Sequence, residues 1–337
     1  MRKMILKKTF YALLAGIMLP GFIYARGAEE RREELKICGL RGPSGIALIR
    51  LFEEPPKING FDVKVEALAN QDLMAARLIS GEAKVGILPP NIAAKIFSSG
   101  INIRAAAVIG TGMLSLLSLD PGLRSIGDLR GKTVEVAGQG ATPDYVLKKI
   151  LRFYGLDPDR DLALSYSMAY PEIAQSLIAG KITTALLPEP FTTMSLAGKP
   201  GLRTVSDIQE EWTRAAGGGM NSVGSNSVGN YPMTLLVIEG TFASANPDAV
   251  KIILDAARNS IEWVKAFPAE AGQLTEKHEL GLSAPVAAAA IPKSSYVFIP
   301  AAEARPSLEA LFNAFLENDP LSIGGSLPGD RFYYNSP

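Results

Sequence analysis

A short pattern occurs twice in this chain. Leu78-Ile79-Ser80-Gly81-Glu82-Ala83-Lys84-Val85-Gly86-Ile87-Leu88-Pro89-Pro90 aligns with Leu177-Ile178-Ala179-Gly180-Lys181-Ile182-Thr183-Thr184-Ala185-Leu186-Leu187-Pro188-Glu189-Pro190, with one extra residue in the second copy. Each copy reads as the end of a helix, a glycine stop, a short buried strand and a proline terminus. Two copies are too few for a solenoid. They imply two similar α/β units, and 337 residues suffice for two lobes of ordinary domain size.

A second feature is also duplicated. Thr133 to Ala137 alternates as a short strand, Gly138 and Gly140 break it, and Val146, Leu147, Ile150 and Leu151 then fall at helical spacing. Thr142 is expected as the N-cap of that helix, with Pro143 at its first position and Asp144 in its first turn. Residues 35–52 follow the same plan: a strand at Leu35–Leu40, a turn at Gly42-Pro43-Ser44-Gly45, and a helix from Ile46 to Phe52 capped by Ser44. Strands are further expected at 61–67, 84–88, 103–108, 113–119, 162–166 and 182–187, most of them separated by helical segments. Such alternation predicts mostly parallel sheets covered on both faces. Ligands of such sheets bind beyond the carboxyl ends of the strands, where both glycine turns and both proline ends fall.

The later part of the chain closes the design. Asp207–Ala216 reads as an amphipathic helix carrying Trp212, residues 217–230 as a glycine- and asparagine-rich loop, and Tyr231–Ile238 as a long strand returning to the first unit. Asn246-Pro247-Asp248 begins a long helix through Ala266, and helices are expected to cover the first lobe thereafter. Lobe 1 is therefore expected at 34–114 and 233–337 and lobe 2 at 115–232, joined by a double crossing that permits closure about a ligand.

Composition removes several classes of function. Lys+Arg equals Asp+Glu at 34 each, so no basic excess points to nucleic acid. The single cysteine, Cys38, excludes a disulfide framework and a cysteine-based metal site. The single histidine, His278, lies in the polar run Thr275–Glu279 and reads as a surface residue, so neither a metal ligand set nor a Ser-His-Asp triad is expected. A dinucleotide fold is disfavoured, because Gly138-Gln139-Gly140 lacks the third glycine of its fingerprint and position 143 is Pro. At the N-terminus Arg2, Lys3, Lys7 and Lys8 precede the apolar run Phe10–Tyr24, the layout of an export signal over residues 1–25. Its removal would leave a mature chain of net charge −4, expected to be periplasmic and, with no cysteine near the cleavage point, without a lipid anchor.

Five segments carry a family resemblance: Asp128-Leu129-Arg130-Gly131-Lys132-Thr133-Val134, Gly140-Ala141-Thr142-Pro143-Asp144-Tyr145, Gly155-Leu156-Asp157-Pro158, Leu177–Lys181 and Leu187-Pro188-Glu189-Pro190-Phe191. Together they resemble the substrate-binding proteins of ABC importers of the nitrate, taurine, alkanesulfonate and thiamine-pyrimidine-precursor type, over nearly the whole mature chain. The resemblance implies the two-lobed type II periplasmic-binding-protein fold, capture of a small polar or anionic solute between the lobes, and an ABC permease as partner. It implies no cofactor, no metal and no catalysis, and a monomer is expected. Carried onto this chain, the cleft would be formed by Ser44, Gly45, Asn91, Thr111, Gln139, Gly140, Ala141, Thr142, Glu189 and Tyr231.

Plain structural roles stand beside these. Capping alone explains Ser44 and Thr142, a turn or cap explains Asn91, and an ion pair within lobe 2 explains Glu189. Tyr166 and Tyr170 could stack on a planar ligand or pack in the core. The alternative function is an enzyme of the thiamine-pyrimidine-precursor-synthase type, which resembles these binding proteins in its lobes. That activity requires a histidine and a cysteine-rich segment, which one Cys and one surface His do not supply. A sensing module is a third class, disfavoured by the export signal and the lack of an output domain.

Overall fold

In the computed structural model, residues 32–216 and 231–335 are described. The expected export signal and the glycine-rich loop at 217–230 therefore lie outside the described residues. Among the described residues eleven strands form two sheets: β1 (Glu33–Leu40), β2 (Phe61–Leu68), β3 (Val85–Leu88), β4 (Ile103–Thr111), β5 (Leu114–Ser118), β6 (Thr133–Val136), β7 (Ala163–Ser165), β8 (Thr184–Pro188), β9 (Arg203–Asp207), β10 (Pro232–Glu239) and β11 (Tyr296–Pro300). The first sheet runs β11-β4-β10-β3-β1-β2 and the second β7-β6-β8-β5-β9.

These orders are the same apart from one edge strand. β2, β1, β3, β10 and β4 occupy the places held by β7, β6, β8, β5 and β9 in the second sheet. Within each set the three strands joined by helices, β3-β1-β2 and β8-β6-β7, pair in parallel. The crossing strands β10 and β5 enter from the opposite lobe, so they run antiparallel to β3 and β8. The duplicated sequence pattern thus falls on β3 and β8, the strand of each parallel set that lies beside the crossing strand.

The chain passes between sheets at Gly112-Met113 and returns immediately before Pro232. Leu114, expected at the end of lobe 1, already pairs in the second sheet, and Pro232 already pairs with Thr111 in the first. β9 and β11 are additions to the expected strands. Each is five residues long and pairs through an irregular register, β9 with β5 and β11 with β4, which leaves little periodic pattern to read.

Burial follows the two-residue period of the strands. Leu116 and Leu186 of the second sheet belong to the large core that continues into the first lobe. Their neighbours Leu117, Ala185 and Leu187 face the other way, onto Ile173, Ala174 and Leu177. The C-terminal helix Ala301–Asn318 also bridges the lobes: Phe315 meets Tyr145 of helix Thr142–Phe153 edge-on, with ring centroids 5.0 Å apart. Among the described residues no helix is long and apolar enough to cross a membrane.

Candidate functional site: the interlobe cleft

A cavity of about 290 Å³ lies between the two lobes. Its walls are the carboxyl ends of the parallel strands. The first lobe contributes Leu40 after β1 and Ile87, Leu88 and Pro89 at the end of β3; the second contributes Ala137 and Gly138 after β6 and Pro188 at the end of β8. Met113 and Met233 line it from the two crossings, with Thr234 beside Met233. The rule that placed a ligand beyond the strand ends therefore locates a real enclosure.

The rim of lobe 2 is a glycine turn feeding a helix. Gly138 has φ +76°, a conformation that L side chains rarely adopt. The helix runs from Thr142 to Phe153 with Ala141 as its N-cap. Thr142 is thus the first helical residue and not the cap expected from sequence. Asp144, in the first turn, accepts the Gly140 N–H at 2.8 Å and so ties the glycine turn to the helix. Thr142 lines the cavity, and its hydroxyl is buried with no hydrogen-bond partner. Asp144 is itself 1% exposed and satisfied by the Tyr166 hydroxyl at 2.7 Å and the Lys148 ammonium at 3.0 Å.

The rim of lobe 1 differs from expectation in a related way. Residues 46–52 do not form one helix capped by Ser44. The chain makes a single turn of helix over Pro43–Ile46 and a second helix over Ile49–Glu53, and Gly42, at φ 95°, is the cap position of the first. The cause lies at Gly45. A Cβ there would sit 2.0 Å from the Leu40 carbonyl oxygen, so the turn is folded hard back onto the end of β1. Tyr296 pins the same turn by donating its hydroxyl to the Pro43 carbonyl at 2.8 Å. Ser44 lines the cavity; Gly45 is buried and does not.

The ten residues carried over from the resemblance are not brought to one place. Ser44, Ala141 and Thr142 line the interlobe cavity. Gln139 and Gly140 instead line a neighbouring crevice of about 410 Å³ with Asp144, Lys148, Arg152 and Asp319. Much of that crevice is internally paired: Lys148 with Asp144, Tyr145 with Asp319, Arg152 with Asn318. Gly45, Asn91, Thr111, Glu189 and Tyr231 do not line the cavity. Thr111 ends β4 and Tyr231 packs edge-on against Trp212, centroids 5.6 Å apart, with its ring beside Gly112 at the outgoing crossing.

Glu189 stands just behind the cavity wall, between Pro188 and Phe191. It is 5% exposed and accepts the Thr193 N–H at 3.1 Å. Burial pushes its carboxyl above the usual value of 4.5, against the opposing hydrogen bonds from Thr193 and the charge of Lys293. Lys293 comes from lobe 1 and donates to the Thr193 hydroxyl at 3.1 Å, a further polar tie across the lobes. His278 does not line the cavity and meets Glu53 at 2.9 Å. Among the described residues no group of three or more His, Cys, Asp or Glu could hold a metal ion.

Several lining residues were not singled out from sequence. Gln71 opens the helix after β2, Met113 and Met233 flank the crossings, and Phe191 follows the second proline end. Gln71 and Phe191 lie beyond the carboxyl ends of β2 and β8, whereas Met113 and Met233 stand at the start of the antiparallel crossing strands, where that rule does not point. Tyr170 was foreseen as a stacking candidate, and it lines the cavity with its ring 5.8 Å from Phe191 at an interplanar angle of 20°.

Two matched α/β lobes, a double crossing and a cavity between facing strand ends define the two-lobed periplasmic-binding-protein class. The chain belongs to the NMT1/THI5-like family, whose model matches residues 57–271. Solved structures share the fold. An ABC transporter protein from Parabacteroides distasonis superposes with a TM-score of 0.75 at 27% identity, over 90% of this chain and 99% of that one. The periplasmic aliphatic sulphonate-binding protein SsuA of Escherichia coli gives 0.68 at 16% identity, over 90% and 93%. The periplasmic nitrate-binding protein NrtA of Synechocystis gives 0.55 at 14%, over 76% and 69%. No curated protein sequence matches the chain.

Proposed function

We propose that this protein is the extracytoplasmic solute-binding component of an ABC importer, exported through residues 1–25, which takes a small molecule into the interlobe cavity and presents it unchanged to a membrane permease. One observation carries the reading. A single enclosure is walled by the ends of β1 and β3 on one side and of β6 and β8 on the other, so a guest there touches both lobes and its binding free energy is coupled to their closure. The family and the sulphonate- and nitrate-binding neighbours support the same role. In this reading Ser44, Ala141 and Thr142 touch the solute, while Asn91, Thr111, Gln139, Gly140, Glu189 and Tyr231 hold the walls and the crossings in place.

Purified protein incubated with a metabolite panel should be stabilised by its solute, by about 2.7 kcal/mol at a hundredfold excess over Kd. Mass spectrometry should then recover that solute with its mass unaltered. A product of different mass would replace the binding role with an enzymatic one. Chemical cross-linking in cells should join the loaded protein to an inner-membrane ABC permease, and recovery only in the cytoplasm would remove the transport role.

A further inference from the structure

We infer that the cleft admits an uncharged, largely apolar solute and turns anions away. The inference rests on the solute-binding reading above and narrows it. A cavity of about 290 Å³ holds roughly a dozen non-hydrogen atoms at a packing density of about 0.75. Leu40, Ile87, Leu88, Met113, Phe191 and Met233 make up much of its lining. The polar side chains of the lining are Ser44, Gln71, Thr142, Tyr170 and Thr234, and the hydroxyl of Thr142 is sealed off by burial. The other four are neutral groups that both donate and accept hydrogen bonds. Burial pushes the Tyr170 phenol up from its usual value of 10, so it stays a neutral hydroxyl. Among the described residues that line the cavity, none carries a full charge.

The helices decide against an anion. Gln71–Ile79, Pro90–Ser98, Thr142–Phe153, Tyr170–Ile178 and Phe191–Gly198 all begin at the cavity wall. A helix N-terminus ordinarily attracts an anion. Here that attraction is already met from within the chain. Asp72 lies in the first turn of Gln71–Ile79. Asp144, 1% exposed, lies in the first turn of Thr142–Phe153, after Pro143, which has no N–H to offer. Glu172 accepts the Ala169 N–H at 3.1 Å at the start of Tyr170–Ile178. Glu189 accepts the Thr193 N–H at 3.1 Å at the start of Phe191–Gly198. The remaining helix opens on Pro89-Pro90 and lacks its first N–H. Lys148 is paired with Asp144 at 3.0 Å and Lys293 with the Thr193 hydroxyl at 3.1 Å, and neither lines the cavity. A guest anion would therefore lose its hydration and gain no cation. An ammonium fares no better, because no carboxylate lines the cavity to receive it. Hydroxyls and an amide satisfy a neutral guest without that cost.

The test is a calorimetric series on one ring system: the uncharged 2-naphthylmethanol and 2-naphthamide, the anions 2-naphthoate and naphthalene-2-sulfonate, and the cation 2-naphthylmethylammonium, with taurine and nitrate alongside. The two uncharged members should bind about tenfold or more tightly than the three charged ones. Asp72→Asn combined with Glu172→Gln, at two exposed positions that do not line the cavity, should raise naphthoate affinity about fivefold relative to 2-naphthylmethanol. Retained binding of 2-naphthylmethanol shows that this variant is folded. An unchanged ratio, or a charged member that binds as tightly as the uncharged ones, overturns the inference. Binding of taurine or nitrate overturns it as well and leaves the solute-binding reading standing. If no naphthyl compound binds, the solute recovered from a broad metabolite panel decides: an uncharged one upholds the inference and a charged one overturns it. If neither the series nor the panel yields a binder, both readings fall.

Discussion

The two rims of the cleft occupy equivalent places in equivalent sheets, yet they are built differently. After β6 the chain loosens through Gly138 and enters a twelve-residue helix, with Thr142 lining the cavity. After β1 it folds back so tightly that Gly45 presses on the Leu40 carbonyl, and the helix that should follow breaks into two short pieces. The proline ends differ too. β3 runs through Pro89 directly into helix Pro90–Ser98, whereas β8 is followed by an additional residue, the buried Glu189. Shared topology thus fixes where a guest sits, while the local chain decides what each lobe presents to it. Lobe 2 presents the start of a full helix; lobe 1 presents a tight turn and two short helical pieces.

The strongest way to break this contrast is to add one carbon to each turn. Gly45→Ala places a Cβ at 2.0 Å from a backbone oxygen that has no room to retreat, and should destabilise the protein by about 3 kcal/mol or more. Gly138→Ala meets only the Ala141 side chain at 3.3 Å, so its cost is the positive φ, about 1–2 kcal/mol. Urea denaturation of both variants ranks them. Equal losses would mean that the lobe 1 turn is no more constrained than its counterpart.

Next in size is the hydroxyl itself. Thr142→Val removes a buried group with no partner, so the ligand-free protein should gain about 1 kcal/mol in thermal or urea unfolding. Ser44→Ala, at the half-buried position across the cavity, should change stability by less than about 0.5 kcal/mol. A loss of stability in Thr142→Val would show that the hydroxyl is already satisfied without ligand.

The additional residue of lobe 2 gives a pH test with a definite sign. Burial raises the Glu189 carboxyl above 4.5, so the folded protein holds this proton more tightly than the unfolded chain. Its stabilising contribution is therefore complete below pH 4.5 and is lost as pH rises through the raised value. Glu189→Gln should flatten that part of the stability profile and be relatively more stable at pH 7. An unchanged slope would place the titration elsewhere; lobe 1, with Pro89 and Pro90 at the same point, offers no equivalent group.

Much of the architecture was legible because it is periodic. The duplicated segment marked β3 and β8, and long, mostly apolar runs marked the crossing strands β5 and β10 closely enough to give the order lobe 1, lobe 2, lobe 1. The antiparallel entry of those crossings was not visible, since direction depends on where a strand comes from and not on its residues. The site was legible as a place and less so as a chemistry. Thr142 and Ser44 were found through capping, although neither caps: Ala141 and Gly42 hold those positions because Asp144 and the Leu40 carbonyl decide the local fold. The apolar lining by Met113, Met233 and Phe191 was missed because such residues look like core until the two halves are set face to face. Thr111 and Tyr231 drew attention by sitting near the crossings, and there they pack into the crossings and not the cavity wall.

The smallest expected effect concerns how the lobe 2 rim is held to lobe 1. Tyr145, in the first turns of the helix that begins at Thr142, donates its hydroxyl to Asp319 at 3.2 Å and packs against Phe315. Burial, then the nearby Asp319 charge, pushes its phenol up to about 12, so the donor is retained across any ordinary buffer. Tyr145→Phe keeps the ring contact and removes only that hydrogen bond, for a loss of about 0.5–1.5 kcal/mol. Lys149→Ala, one turn further on, breaks a largely solvated pair with Glu317 at 2.9 Å and should cost no more than about 1 kcal/mol. Salt separates the two: 1 M NaCl should erase the Lys149 difference and leave the Tyr145 difference in place. If both losses vanish in salt, the polar part of the bridge is a surface charge effect, and the ring contact of Tyr145 with Phe315 is what holds this helix to lobe 1.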